Sequence, residues 1–257
     1  MSFEIERNVS GDVETWWLNR PEVHNAVSLD MWHKIVVECE RLEGDRSLRV
    51  LVVRGRGEHF SAGADVNGLG RALAADVDGS VYRATNAAAE AALSALPLVT
   101  IALINGYCVG GAVQLALACD IRIASEDAQF GVTPARLGIV YPALATARLV
   151  ATIGRTAAAD LLLRGHLIDA QRALDIGLVS NVSTKPEETL DAYVDEVLSR
   201  SSSSQIATKQ VMNELLRNET LSALGTELEQ ASLQHGDLDE GLAAFREHRK
   251  PQFGPRP

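Results

Sequence analysis

Two adjacent glycines, Gly110 and Gly111, place the tightest constraint on how this chain folds. They stand inside Ile104-Asn-Gly-Tyr-Cys-Val-Gly-Gly-Ala-Val-Gln-Leu115, where an apolar strand, Leu98 to Ile104, is expected to give way to a small-residue helix, Ala112 to Ala118. Lacking side chains, the main chain there admits the close approach of another backbone or of a ligand. A helix starting at that point aims unpaired N–H groups and a partial positive charge outward, which suits an oxygen that gains negative charge. A glycine pair alone equally serves close packing. A second small-residue turn, His59-Phe-Ser-Ala-Gly-Ala-Asp65, follows another apolar strand, Val50 to Val53. Donors converging from two such turns would form an oxyanion hole.

The surrounding pattern alternates strands and helices. Strands are expected at Phe3 to Arg7 and Val13 to Leu18, about the turn Ser10-Gly11-Asp12, and at Arg49 to Arg54, Asp120 to Ala124 and Ala128 to Phe130. Ser28 can cap a helix through about Glu43, and an Ala-rich helix from Val81 to Leu96 stops before Pro97. The stretch Asn67 to Gly79 between them reads as mobile. Beyond Pro142 the pattern is nearly all helical apart from a strand at Leu178 to Val182, with Gly154, Gly165, Gly177 and Pro186 as punctuation. One of Ser201 to Ser204 is expected to cap a helix through Arg217. This alternation implies an α/β core, as an open sheet or as a spiral.

At 257 residues the chain can bury one large core, or a core with a small helical appendage. A net charge of −10 argues against a nucleic-acid partner, which needs a basic face. Cys39, Cys108 and Cys119 lack metal-ligand spacing, as do the histidines, and read as reduced thiols of a cytoplasmic protein; no metal is expected. The first residues lack the basic-then-apolar order of a signal peptide, and no run reaches the roughly 18 apolar residues of a membrane span.

Asn105-Gly-Tyr-Cys-Val-Gly-Gly-Ala-Val-Gln-Leu-Ala-Leu-Ala-Cys-Asp-Ile-Arg-Ile-Ala124 resembles the signature of the enoyl-CoA hydratase/isomerase family, the crotonase superfamily. So do Leu18-Asn-Arg-Pro-Glu-Val-His-Asn-Ala26, Phe60-Ser-Ala-Gly-Ala-Asp65, Ala128-Gln-Phe-Gly131, Ala170-Gln-Arg-Ala-Leu-Asp-Ile-Gly-Leu-Val179 and Arg249-Lys-Pro-Gln-Phe253. The resemblance implies an α/β fold: a crotonase-like spiral of ββα units over residues 1–195, followed by a C-terminal helical oligomerisation region over 196–257. It also implies a homotrimer or hexamer, and an acyl-CoA as small-molecule substrate with no separate cofactor.

By the same resemblance, the thioester carbonyl would be held by the N–H groups of Ala64 and Gly111. CoA recognition would fall to the backbone near Val23, His24 and Ala26, and to Ala62, Ala64, Asp65, Val66 and Gly111. Lys250 either reaches the nucleotide phosphates or is a solvated tail charge. Hydratases of the family use two glutamates; aligned here, those positions are Gln114 and Pro134. Glutamine does not cycle a proton at neutral pH, and proline has no functional side chain. The resemblance leaves Gln114 as a hydrogen-bonding orienter or a filled core amide.

Phe130-Gly-Val-Thr-Pro-Ala-Arg-Leu-Gly-Ile-Val-Tyr141 looks like the corresponding run of methylmalonyl-CoA decarboxylase, as does the pattern Glu240-Gly241, Phe245 and Arg249-Lys-Pro251. Loss of carbon dioxide from a malonyl-type thioester generates the enolate without a base, and Tyr141 would orient the carboxylate or deliver a proton. That relative has histidine where Ala64 stands here. Arg136 is a second candidate for a substrate carboxylate or a surface ion pair. Tyr82 is expected on the wall of the acyl pocket, Tyr107 beneath the glycine turn, His59 beside the first donor turn, and Asp120 as a structural carboxylate. A replacement acid/base or a non-catalytic binding role stays open.

Overall fold

Strand β1 (Ile5–Ser10) and strand β2 (Val13–Leu18) form an antiparallel hairpin whose register pairs Ser10 with Val13. The expected strand is thus longer, and the turn is only Gly11-Asp12, with Gly11 supplying a φ of 57°. The computed structural model describes all residues except 1–4, 67, 69, 71–78, 218–222, 234–235, 255 and 257. Phe3 and most of the stretch Asn67 to Gly79 lie outside the described residues.

Helix α1 (Leu29–Gly44) starts where Ser28 accepts the Met31 N–H at 3.1 Å, and buries Met31, Trp32, Ile35, Cys39 and Leu42 along one face. Strand β3 (Val50–Gly55) follows, then helix α2 (Ser80–Ala95), which ends ahead of Pro97, and strand β4 (Val99–Ile104). The expected direct passage from β4 to the glycine helix is corrected by a further three-residue strand, β5 (Tyr107–Val109). Helix α3 (Gly111–Ala118) comes after it, then β6 (Ile121–Ser125) and β7 (Gln129–Gly131). Helix α4 (Ala143–Arg164) is kinked at Gly154, whose φ is 74°. Strand β8 (Leu167–Asp169), helix α5 (Ala170–Asp175), β9 (Asn181–Ser183) and α6 (Pro186–Leu198) complete the core. The expected strand at Leu178 to Val182 therefore begins only at Asn181, because Leu178 and Val179 are buried apolar turn residues after α5. Helices α7 (Ser202–Arg217), α8 (Ala223–Leu233) and α9 (Gly236–Arg246) follow. Ser201 caps α7 by accepting the Ser204 N–H at 3.1 Å.

Two sheets result. One runs β1-β2-β3-β4-β6-β9, parallel throughout except for the first hairpin; the other runs β5-β7-β8. The central strands β3 and β4 are apolar on both faces because both faces are covered there. Leu51, Val53, Ala102, Ile104 and Ala124 join the main core with α1, α2 and α3. Val50, Val52, Ile101, Leu103 and Ile123 instead pack on Leu190 and Val197 of α6. No described helix is long and apolar enough to cross a membrane.

Candidate active site

The first turn, after β3, is shaped by Asn25. Its side chain is fully buried and donates to the Arg56 and His59 carbonyls at 2.8 and 2.7 Å, while its Oδ1 accepts the Arg20 N–H at 2.9 Å. Ser61 Oγ donates to the Asn25 carbonyl at 2.7 Å and accepts the Gly63 N–H at 3.0 Å. The Val27 N–H bonds Gly63 O at 2.7 Å, and the Asp65 N–H bonds Val27 O at 3.0 Å. Extended backbone alternates its polar groups, so the Ala64 N–H between them faces away from Val27. Arg20 braces this turn, donating to Ala26 O at 2.8 Å and to Asp65 at 3.2 Å.

The second turn meets the first. Strand β5 joins it through the Ser61–Cys108 bridge. A Cβ on Gly63, where φ is 95°, would lie 2.3 Å from Val109 O and 3.1 Å from the Gly111 nitrogen. A Cβ on Gly111 would lie 3.3 Å from the Ala64 nitrogen and 3.6 Å from Trp32 Cζ2. The Ala64 and Gly111 amides are thus neighbours at the N-terminus of α3, over the buried Trp32 ring. Gly110 has φ 59° and ψ −117°, a conformation that glycine tolerates.

Tyr141 is drawn into the same place. Its hydroxyl donates to Gly110 O at 3.1 Å and lies beside the Gln114 N–H; burial, with the Glu90 charge adding, raises its pKa well above the ordinary phenol value. Gln114 is buried, and its Nε2 donates to Asn86 Oδ1 at 2.6 Å and to Glu90 Oε2 at 2.8 Å. Both hydrogens of that amide are therefore committed to α2. Glu90, which the sequence reading missed, comes from α2, is 1% exposed, and accepts Arg148 Nε from α4 at 2.9 Å. Burial raises its carboxyl pKa against the lowering by Gln114 and Arg148. Its position, four residues after Asn86 and thus on the same helical face, was the available signal.

Pro134 opens a short 3-10 turn, Pro134–Leu137, and Thr133 Oγ1 lies 3.8 Å from the Cβ position of Gly110. Arg136 is exposed and packs its stem on Gly165, with no ion pair among the described residues. Tyr82 is half-buried, and burial raises its pKa. Tyr107 does not pack beneath the glycine turn: it is 37% exposed and stacks on His59 with centroids 4.5 Å apart, because β5 turns it to the rim. His24, Val23, Ala62 and Val66 are exposed on that side, and Ala26 is half-buried. Lys250 is exposed in the tail, and among the described residues no hydrogen bond or ion pair joins its side chain to either turn. Asp120 accepts the Thr100 N–H and Lys209 Nζ, both at 2.8 Å, and is structural.

A mixed α/β fold that brings two glycine turns and their amides together at a helix N-terminus defines an enzyme class. The family model for enoyl-CoA hydratase/isomerase matches residues 10–256. The chain is 33% identical over 243 residues to the 2,3-dehydroadipyl-CoA hydratase of Escherichia coli, covering 92% of each. It is 29% identical to the trans-2-decenoyl-[acyl-carrier-protein] isomerase of Streptococcus mutans, covering 97% of each. The crystal structure of an enoyl-CoA hydratase/carnithine racemase from Magnetospirillum magneticum superposes with a TM-score of 0.92 at 30% identity, covering 99% of this chain and 96% of that one. The chain belongs to the enoyl-CoA hydratase/isomerase family of the crotonase superfamily, a family of acyl-CoA enzymes.

Proposed function

We propose that this enzyme grips the carbonyl oxygen of an acyl-CoA between the Ala64 and Gly111 N–H groups and stabilises the thioester enolate. The observation that carries this reading is the close approach of the two turns, with a Gly111 Cβ position only 3.3 Å from the Ala64 nitrogen. Each such donor is worth about 3 kcal/mol in the transition state. The exposed backbone around His24, Ala62 and Val66, braced by Arg20 and Asp65, is the surface for CoA, with Lys250 offered to its phosphates.

With glutamine at 114 and proline at 134, the reaction favoured is decarboxylation of a malonyl-type thioester. The bond to the carboxylate breaks, carbon dioxide leaves, the electron pair passes to the thioester oxygen, and a proton from Tyr141 or a water it holds quenches the enolate. No cofactor is needed. A second reading, hydration or isomerisation with a replacement acid/base, is favoured by the buried Glu90 carboxylate beside Gln114. Incubating the purified protein separately with methylmalonyl-CoA and crotonyl-CoA, then weighing the products by mass spectrometry, decides between them. Saturable thioester binding with product from neither supports a non-catalytic acyl-CoA binding subunit.

Residues 196–257 are read as the oligomerisation region of a cytoplasmic homotrimer or hexamer. Exposed apolar side chains in it, such as Met212, Leu233 and Phe245, support a covered surface. Light scattering on the purified chain tests the assembly.

A further inference from the structure

Gln114 stands three residues beyond Gly111, on the same face of α3 as the amide at its start. Its amide has two hydrogens, and both are committed: one to Asn86 Oδ1 at 2.6 Å, the other to Glu90 Oε2 at 2.8 Å. An ionised carboxylate only accepts, so Glu90 fixes which end of the amide it faces. Glu90 is held in turn by Arg148 Nε at 2.9 Å, and Arg148 Nη2 reaches Ser94 Oγ at 2.7 Å. Glu90, Ser94 and Asn86 share α2, so two turns of one helix and one arginine of α4 set the orientation of a side chain on a third helix.

We infer that Glu90 is a positioning residue of the acyl site: it turns the Gln114 nitrogen away and leaves only Oε1 to face a ligand at the start of α3. This inference rests on the thioester site proposed above and names what its side wall recognises. An anionic group placed beside position 114 receives no hydrogen bond from it, whereas a hydroxyl, a water or an N–H group on the acyl chain finds an acceptor. A malonyl-type carboxylate there loses water without replacement, while the neutral carbon dioxide it becomes does not; the arrangement favours departure of that group. The Glu90 charge and the acceptor oxygen also oppose any anion at the thioester, so the amides of Ala64 and Gly111 carry its stabilisation alone.

Acetoacetyl-CoA is a suitable probe, because loss of its C2 proton to solvent gives an enolate with its own near-ultraviolet band. Bound to the full-length protein at a fixed pH near neutrality, its enolate fraction reports the electrostatics of the site directly. Glu90→Gln removes the negative charge beside Gln114 and frees its amide to donate, so the bound enolate-to-keto ratio is expected to rise about tenfold, one unit in apparent pKa. Asn86→Ala frees one amide hydrogen without touching the ion pair and is expected to raise the ratio about threefold. It serves as the second variant if Glu90→Gln does not fold. A merely structural role for Glu90 lowers melting temperature and affinity but leaves the bound ratio unchanged, and that result in a folded variant overturns the inference. If the unaltered protein fails to bind acetoacetyl-CoA at all, the thioester reading itself fails, a distinguishable outcome.

Discussion

Arg148 on α4 and Glu90 on α2 meet in a buried ion pair, 2.9 Å from Nε to Oε1, directly behind the Gln114 amide. Removing one member of such a pair leaves the other charge in a poor solvent, at a cost of about 3–5 kcal/mol. Arg148→Met is expected to lower stability by that order in urea denaturation at pH 7. Glu90 already has a raised carboxyl pKa in the folded protein, and loss of Arg148 raises it further. A carboxyl raised above its unfolded value is most favourable below that unfolded value and loses stability as pH rises. The deficit of the variant should therefore shrink as the buffer is taken from pH 7 toward pH 5, and a pH-independent deficit refutes the assignment.

Gly63 and Gly111 answer differently to alanine. At Gly63 an added Cβ meets Val109 O at 2.3 Å with φ at 95°, so Gly63→Ala is expected to cost about 2–4 kcal/mol, read as a lowered melting temperature. At Gly111, where φ is not positive, the added carbon lies 3.3 Å from the Ala64 nitrogen, so that backbone has to give by only a few tenths of an ångström. Gly111→Ala should fold with near-native melting, yet lose roughly 100- to 1,000-fold in kcat/KM because it crowds the oxyanion donors. Steady-state kinetics beside calorimetry separate the two.

Tyr141→Phe removes one hydrogen bond to Gly110 O, worth about 1 kcal/mol of stability. Turnover of the accepted thioester is expected to fall about 100-fold with KM nearly unchanged, as for loss of a proton donor used in the transition state. An unaltered kcat removes Tyr141 from the mechanism.

Gln114→Glu places a second carboxyl where Gln114 Nε2 now lies 2.8 Å from Glu90. Two carboxylates that close share one proton, so one of them titrates well above the ordinary range. The variant is expected to lose stability relative to the parent as pH rises through neutrality, measured by thermal melts from pH 5 to 9. Hydration of crotonyl-CoA, followed by loss of enoyl absorbance, should appear at the acidic end, where one member is protonated and can act as acid.

Glu240 offers an acid-side test far from this chemistry. The Arg249 guanidinium hydrogen-bonds its carboxylate at 2.6 and 2.9 Å, and with the Gln252 N–H holds its pKa down at about 2. A depressed carboxyl stabilises the fold above its unfolded pKa and loses that contribution as pH falls through the folded one. The tail contact should persist through pH 4 and weaken toward pH 2, as read from a carboxyl titration by NMR. In Arg249→Ala the Glu240 midpoint should return toward the ordinary value of 4.5.

What the chain's letters determined was local. Ser28 capped α1, Pro97 stopped α2, and glycines sat where φ turns positive, because capping and backbone sterics act within a few residues. The three-residue strands β5 and β8 were not legible, because each is defined by its pairing with β7 rather than by a pattern of its own. Tyr107 went to the rim for the same reason. The side wall of the site was decided by tertiary structure alone. Glu90 lies 24 residues from Gln114 and 58 from Arg148 along the chain, and helix packing makes them neighbours. Amide orientation and buried charge are properties of that packing, where burial fixes partners and low polarity raises the cost of leaving one unpaired.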